Sequence, residues 1–497
     1  MFRRLKIVGS LQILTSILKM SVSTVTGEPF VVSPALFAEN RLRLVNALKE
    51  KAKAGSVIVL RGGVEQNRYN TDAMDLPFRQ ESYFFWAFGV HESDFYGAID
   101  VDSGKSILFP PRLHPDYAIW DGKIEPENWF KKIYKVDDVH FNDANTINDT
   151  LRNMGAKQLL LLRAENTDSG NVLEPADFKG KSEFPVDTEM LYPVMANLRV
   201  FKTDKELEVM RYSCKIASEA HKAAMKAVRP GLYEYQLESV FRHISYYDGG
   251  CRHLAYTCIA ASGVNGAILH YGHANAPNNK KILDGDLCLL DMGPECECYA
   301  SDVTTTFPAN GKFTDKQKVI YNAVLRANRE VTKSARPGVR WTEMHLLAER
   351  VLLTDLKAAG ILTGDVEEML DARIGAVFMP HGLGHLLGLD VHDCGGYLGD
   401  AIPRPKEPGM KSLRTTRTLQ ERMVITVEPG CYFIDVLLDA ALADPAKRKY
   451  FNVDKLKEFR GFGGVRIEDD IVIWAKGNEV LNDVPRTVEE IEAFMRH

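Results

Sequence analysis

The chain has 497 residues, with 62 Lys and Arg against 67 Asp and Glu and a net charge of −5. That balance excludes a general nucleic-acid binder, which carries a basic excess. A hydrophobic fraction of 45% beside 26% charged residues indicates a globular protein of two or three domains and excludes both widespread disorder and a polytopic membrane protein.

Residues 1–27 contain no acid, carry Arg3, Arg4, Lys6 and Lys19, and are mostly apolar over 7–18. They read as an organellar presequence, a weak signal peptide, or an unstructured leader ahead of an internal start at Met20. No run of 18 uninterrupted apolar residues follows, so no membrane span is expected. Residues from Pro34 to about Ala54 have the pattern of an amphipathic helix, and Ser56-Val-Ile-Val-Leu60 that of a strand. Short apolar stretches at Tyr96–Ile99, Ser106–Phe109 and Gln158–Leu162 continue an alternation of strands and helices to about residue 185. Trp86 and Trp120 fall here and are expected in a core or an interface rather than in a catalytic site.

Thr203 and Glu206 have capping-box spacing and open a helix that runs to about Val228, where Arg229-Pro230-Gly231 stops it. Further helices are expected over Tyr233–Tyr246, Asp315–Ser334 and Thr342–Ala358. The domain boundary is placed near residues 190–203, giving a leader over 1–30, an N-terminal domain over 31–195 and a larger domain over 196–497. The eight cysteines, from Cys214 onward, are too sparse for a secreted disulfide framework, and Cys296-Glu-Cys298 lacks a second pair for zinc. Reduced thiols and a cytoplasmic location are expected, with an organelle reached through the basic leader as the alternative.

The second domain contains an internal echo. Gly285-Asp-Leu-Cys-Leu-Leu-Asp-Met-Gly-Pro294 matches Glu421-Arg-Met-Val-Ile-Thr-Val-Glu-Pro-Gly430: a turn, an apolar strand, an acid, then Gly and Pro. Each is followed by another strand with an acid, Asp302 and Glu468. Two related half-domains are expected, the second with an insertion at about 431–462. A carboxylate ending a buried strand costs several kcal/mol unless it is paired, metal-bound or at the water-exposed terminus. Four acids at matching places weigh against four chance termini.

The histidines sharpen this. His381-Gly-Leu-Gly-His385 puts two imidazoles four residues apart, on one face of a helix or of an extended segment. Gly382 and Gly384 disfavour the helix, and the Glu of a helical zinc-protease motif is missing. On an extended chain the glycines face away and admit a close backbone. A Gly-rich turn with two polar histidines is the plain alternative.

Leu290-Asp-Met-Gly293, Ala300-Ser-Asp-Val-Thr304, His381-Gly-Leu-Gly-His385, Val427-Glu-Pro-Gly430 and Gly464-Val-Arg-Ile-Glu-Asp469 closely resemble the five ligand-bearing segments of the pita-bread dinuclear metallopeptidases. Phe78-Arg-Gln-Glu-Ser82, Trp86-Ala-Phe-Gly-Val90, Leu269-His-Tyr-Gly-His273, Asp390-Val-His-Asp393 and Ser412-Leu-Arg-Thr415 are similar to the Xaa-Pro dipeptidase (prolidase) branch of that family. The likeness covers roughly residues 35–490.

The resemblance implies an α/β (α+β) chain: an N-terminal mixed α/β domain of the aminopeptidase P/prolidase type and a pita-bread domain with pseudo-twofold halves. It implies that Asp291 binds one metal, Asp302 and Glu468 bridge two, and His385 and Glu428 complete the second site. Four carboxylates and two divalent cations would leave such a pocket nearly neutral. An oxygen-rich set with one imidazole and no thiolate suits Mn2+, with Co2+ or Zn2+ able to serve. The implied reaction is hydrolysis of Xaa-Pro dipeptides by a hydroxide shared between the metals, in peptide and collagen turnover and proline recycling. His381 would stabilise the tetrahedral oxyanion and Glu428 would carry the proton to the leaving nitrogen. Arg414, flanked by His270 and His392, is the candidate for the proline carboxylate. Tyr256 and Ile259 are expected to line the pocket, and Arg466 to bind there and orient Glu468. Expected partners are small dipeptides and a second copy of the chain, with no nucleic acid and no membrane. An aminopeptidase acting on longer Xaa-Pro peptides and a non-catalytic binding module are the alternatives.

Overall fold

Strand and helix propensities set up an N-terminal sheet first. The computed structural model describes residues 30–74 and 76–496, so the leader lies outside the described residues except for Phe30. The helix Ala35–Leu48 buries Leu36, Phe37, Leu44, Val45 and Leu48. It ends well short of Ala54, and Gly55, at a φ of 80°, turns the chain into the first strand.

The N-terminal strands are β1 (Ser56–Arg61), β2 (Tyr96–Asp100), β3 (Ser106–Phe109), β4 (Asp138–Val139), β5 (Gln158–Leu161), β6 (Ala164–Glu165), β7 (Val172–Leu173) and β8 (Val186–Asp187). Six of them form one mixed sheet in the order β4-β3-β2-β1-β5-β8. β1 lies between antiparallel β2 and parallel β5, and its residues Ser56–Leu60 are all buried, which is why it reads as an uninterrupted apolar run. β6 and β7 form a separate hairpin.

Trp86 is fully buried on the helix Ser82–Phe88, whose first turn is capped by the Glu81 carboxylate. Trp120 is 83% exposed, so it is not a core residue. A boundary at 195/196 would cut the helix Leu191–Val200; the chain breaks instead at Phe201–Thr203, where Thr203 and Glu206 make the capping box of the helix Asp204–Ala227.

The larger domain contains β9 (His253–Leu254), β10 (Ile259–Ser262), β11 (Leu287–Asp291), β12 (Pro294–Cys296), β13 (Tyr299–Ala300) and β14 (Thr304–Pro308). After the helices Asp315–Ser334 and Trp341–Ala358 come β15 (Val424–Val427), β16 (Gly430–Tyr432), β17 (Gly464–Arg466), β18 (Asp469–Trp474) and β19 (Gly477–Val480). The echo is structural. In one half β11 pairs with β14 and the short β12–β13 hairpin lies between them in sequence; in the other, β15 pairs with β18 and β16–β17 lie between. The second connection is long because the helices Asp435–Ala443 and Val453–Lys457 are inserted between β16 and β17. The halves meet through β14 and β17: Thr306 Oγ1 donates to the Arg466 carbonyl (2.8 Å) and the Glu468 N–H to the Thr304 carbonyl (3.2 Å). Among the described residues no helix is long and apolar enough to cross a membrane.

The two domains are tied by buried charge as well as by apolar packing. Arg199 and Lys202 both reach Asp393, at 2.7 and 2.9 Å, and Arg79 grips Glu295 at 3.0 Å. Burial works against ionisation of Asp393, but Lys202 and Arg199 outweigh it and hold the carboxyl below its ordinary range.

Cys251 and Cys296 form a disulfide, with Cα atoms 4.7 Å apart, which corrects the expectation of uniformly reduced thiols. Pairing of β9 with β12, with Glu295 opposite His253, brings together two cysteines 45 residues apart. The bond joins the segment leading to Tyr256 to the stretch between Asp291 and Asp302. Without reductant, denatured protein should therefore titrate six of its eight thiols. Cys296→Ala should lower stability by about 2–4 kcal/mol, read as a lower thermal midpoint. Eight reactive thiols would contradict the bond.

Candidate active site

The five expected metal ligands come from three kinds of backbone position: a strand end, the residue just before or after a strand, and an extended strap. Asp291 is the last residue of β11, Asp302 stands two before β14, Glu428 follows β15 and Glu468 precedes β18. The strap holding His385 lies along β15: Thr426 N–H donates to the His385 carbonyl (2.9 Å), Glu428 N–H to that of Leu383 (2.9 Å) and Leu387 N–H to that of Val424 (3.0 Å). The segment is extended, and its glycines admit close backbone. A Cβ on Gly384 would stand 2.0 Å from the Thr426 carbonyl oxygen, and one on Gly382 2.9 Å from that of Ser412.

These elements bring all five side chains into one cluster. Ligand atoms of Asp302, His385 and Glu468 lie within 4.8 Å of one another. His385 Nε2 is 3.3 Å from Asp302 Oδ2 and 3.4 Å from Glu428 Oε1. Asp291 joins through Tyr256, whose hydroxyl lies 2.6 Å from Asp291 Oδ1 and 2.5 Å from Asp302 Oδ1.

The electrostatics point to cations. His385 Nδ1–H donates to the Leu386 carbonyl (3.1 Å), so its Nε2 presents a lone pair to the two carboxylates. Lone pairs facing one another repel unless a cation or a proton lies between them. Burial and Asp291 hold the Asp302 carboxyl well above its ordinary range, and burial, Asp302 and Glu428 do the same to Glu468. Burial pushes Glu428 to about 7, with Asp302 adding to the rise and His385 opposing it. A phenol has one proton, so Tyr256 can donate to only one of its two carboxyl neighbours, and the other contact needs a carboxylic acid or a cation. Four carboxyls and one imidazole lone pair in this arrangement fit two divalent cations.

The cluster borders a cavity of about 270 Å³ lined by residues that include Asp291, His381, His385, Glu428, His270, His392, Arg414 and Arg466. Ile259 does not line it: it packs with Tyr271, Leu289 and Tyr432 in a small apolar cluster. Arg466 also differs from expectation. Its Nη2 donates to Asp291 Oδ2 (2.6 Å), and it reaches Glu468 only through Thr304, which accepts from Arg466 Nε (3.2 Å) and donates to Glu468 Oε2 (2.6 Å). The long side chain crosses β14 to the end of β11, so sharing strand parity with Glu468 does not make them partners.

His381 is neutral. Burial and Arg466 push its pKa down to about 3. Its Nδ1–H is spent on the Gly382 carbonyl (2.7 Å), so Nε2 accepts from the Tyr432 hydroxyl (2.9 Å). No N–H is left free for an oxyanion in this arrangement. Tyr432 in turn accepts from Arg466 Nη1 (2.7 Å). His392 meets the His385 ring edge-on at 4.5 Å. Burial and His385 lower its pKa to about 2.

Sequence reasoning missed Tyr432 and Asp470. Asp470 is fully buried and its Oδ2 accepts the Asp302 N–H (3.0 Å), fixing the backbone of a ligand. Its parity with Glu468 was the available signal. Tyr432 had none beyond its position two residues after Gly430.

Comparison with known proteins matches residues 208–475 to metallopeptidase family M24 and residues 37–163 to the aminopeptidase P N-terminal domain. The chain is 56% identical over 470 residues to the Xaa-Pro dipeptidase of Rattus norvegicus, covering 94% of this chain and 95% of that protein. It is equally identical to that of Homo sapiens, covering 94% of each. Among solved structures it resembles Zn-substituted E. coli aminopeptidase P in complex with product, with a TM-score of 0.74 and 31% identity over 94% of this chain and 99% of that one.

The raised carboxyls set a pH test. A carboxyl whose folded pKa exceeds its unfolded value stabilises the fold at low pH and loses that contribution as pH rises through the folded pKa. The metal-free protein should therefore lose thermal stability between about 4.5 and about 7, the ordinary and shifted values of Glu428. Loading with Mn2+ should abolish this loss and release protons in weakly buffered solution at pH 6. A pH-independent midpoint without metal, with no proton release on loading, would contradict the cluster.

Proposed function

We propose a function from one premise: this chain belongs to metallopeptidase family M24. It is a metal-dependent peptidase that hydrolyses Xaa-Pro dipeptides. The observation that carries this reading is that one cavity holds both the acid–imidazole cluster and Arg414. An aminopeptidase needs the first; a dipeptidase needs both, because its substrate ends in a carboxylate.

Asp291, Asp302, His385, Glu428 and Glu468 would hold two divalent cations, whose chemistry when bound would be to provide a hydroxide nucleophile near neutral pH and to polarise the scissile carbonyl. The donor set, rich in oxygen and without thiolate, favours Mn2+. Around them the chain's own residues divide the work. Glu428, beside His385 and Asp302 in the cavity wall, is placed to take up a proton and deliver it to the leaving proline nitrogen, which has none in the substrate. Arg466 keeps Asp291 oriented, and Tyr256 spans Asp291 and Asp302. Arg414 receives the proline carboxylate beside His270 and His392. His381 closes the wall next to Glu428, 3.9 Å away, and a donor role for it requires a proton on Nε2, which in this arrangement accepts from Tyr432. A homodimer belongs to the same reading; exposed Ile119 and Trp120 offer a second copy an apolar surface.

A second reading, release of the first residue from longer Xaa-Pro peptides, is favoured by the cleft of about 1220 Å³ between the domains, which opens onto Arg414. Purified protein with Mn2+ should cleave Gly-Pro, lose activity to chelator and contain about two metals per chain. Asp291→Asn should fold and lose at least about 100-fold in kcat. Gly-Pro-Gly cleaved as fast as Gly-Pro would select the aminopeptidase, and a metal content near zero after loading would select a binding module.

A further inference from the structure

The β6–β7 hairpin of the N-terminal domain ends in a tight turn that presents one carboxylate to the larger domain. Asn166 Oδ1 accepts the N–H groups of Asp168 (3.0 Å) and Ser169 (2.9 Å), and the Gly170 N–H, at a φ of 72°, donates to the Asn166 carbonyl (2.8 Å). The tip is thus internally braced, and the Asp168 side chain is left to point outward.

It meets two arginines. Arg404 Nη2 donates to Asp168 Oδ1 (2.6 Å) and to the Thr167 carbonyl (3.2 Å), while its Nη1 donates to the Leu413 carbonyl (2.5 Å). The same guanidinium lies over the Tyr397 ring, 4.4 Å from its centre, and Tyr397 Oη also donates to the Leu413 carbonyl (2.6 Å). Arg404 therefore clamps the hairpin tip to the residue next to Arg414. The other Asp168 oxygen, Oδ2, lies 3.3 Å from Arg414 Nη1.

Two further observations give this contact a purpose. Arg414 and His392 line both the cavity bearing Asp291 and Glu428 and a second cavity of about 270 Å³ floored by Asn166, Asp168 and Ser169. Arg414, with His392, is the partition between them. Two guanidiniums against one carboxylate also leave one positive charge unmatched, and Asp168 reaches Arg414 through a single Nη. The rest of the fork can take one more carboxylate.

We propose that Asp168, held by Arg404, is a positioning residue that fixes the Arg414 guanidinium at the boundary of the two cavities and so sets the requirement for a free carboxylate on the second substrate residue. The inference rests on the proposed Xaa-Pro dipeptidase function. It makes the N-terminal domain part of substrate selection through a contact 246 residues long in sequence, from Asp168 to Arg414.

The test is steady-state kinetics of the full-length, Mn2+-loaded protein on Gly-Pro and on Gly-Pro-amide, which lacks the carboxylate. Asp168→Asn, which removes the charge facing Arg414, should raise KM for Gly-Pro about tenfold, with kcat within about twofold. KM for the amide should not move. Asp168→Glu should restore most of the difference, and Arg404→Gln should reproduce the Asp168→Asn pattern. An unchanged KM for Gly-Pro, an equal rise for both substrates, or a lower KM for Gly-Pro, as expected if Asp168 competes with substrate for Arg414, would each overturn the proposal. Failure of the wild type to cleave Gly-Pro would instead overturn the function on which it rests.

Discussion

A neutral imidazole nitrogen aimed at two carboxyl groups, one buried and one at the cavity wall, is the interaction on which the rest depends. His385 Nε2 stands 3.3 and 3.4 Å from Asp302 and Glu428 with its lone pair outward, because its only proton is held by the Leu386 carbonyl. At that separation, in a buried setting, the repulsion is too costly to stand without compensation. The neighbourhood is built to keep the groups in place all the same. Thr304 holds Glu468, Asp470 holds the Asp302 backbone, Arg466 holds Asp291 and Thr426 Oγ1 accepts the His385 N–H. Such a pre-arranged set of donors costs the fold stability and is recovered when cations bind.

Its placement follows from topology. Each half of the larger domain ends a strand in an acid, turns through a short hairpin strand and returns with a second acid, so two pairs of carboxyls converge where the halves meet at β14 and β17. The His385 strap closes the ring by running along β15, and it does so because Gly384 lets the chain lie against the Thr426 carbonyl. Any side chain there would push the imidazole away from Asp302. The N-terminal domain is seated by buried ion pairs, Arg199 and Lys202 on Asp393 and Arg79 on Glu295. Asp393 directly follows His392, so the docking of the domain is joined to the wall of the cavity.

What was legible in the sequence were features expressed in local spacing. The acids at strand ends, the histidines four apart, the glycines on the opposite face and the capping box at Thr203 all leave marks within a few residues of one another, and the insertion before β17 shows in the unequal spacing of the two echoing halves. What was not legible depends on partners distant in sequence. The Cys251–Cys296 bond needs β9 beside β12, and the path of Arg466 to Asp291 needs β17 beside β14 and β11. The state of His381 depends on Tyr432, 51 residues away. Trp120 has the composition of a core residue and the exposure of a surface one, because the short helix Tyr117–Trp120 buries none of its residues.

The cavity is polarised, and that polarity has to be maintained. Asp291 and Glu428 line the same space as Arg414. Opposite charges facing one another across so small a volume attract. Any acid there that carries its charge would draw an unrestrained Arg414 toward it, and such a collapse would fill the space a substrate needs. A counter-charge on the far side of the guanidinium opposes that collapse, and Asp168 supplies one from a separate domain. Arg466 has no such freedom, since Asp291, Tyr432 and Thr304 occupy its three donor groups. One arginine is thus spent on the acid cluster and the other is kept back from it.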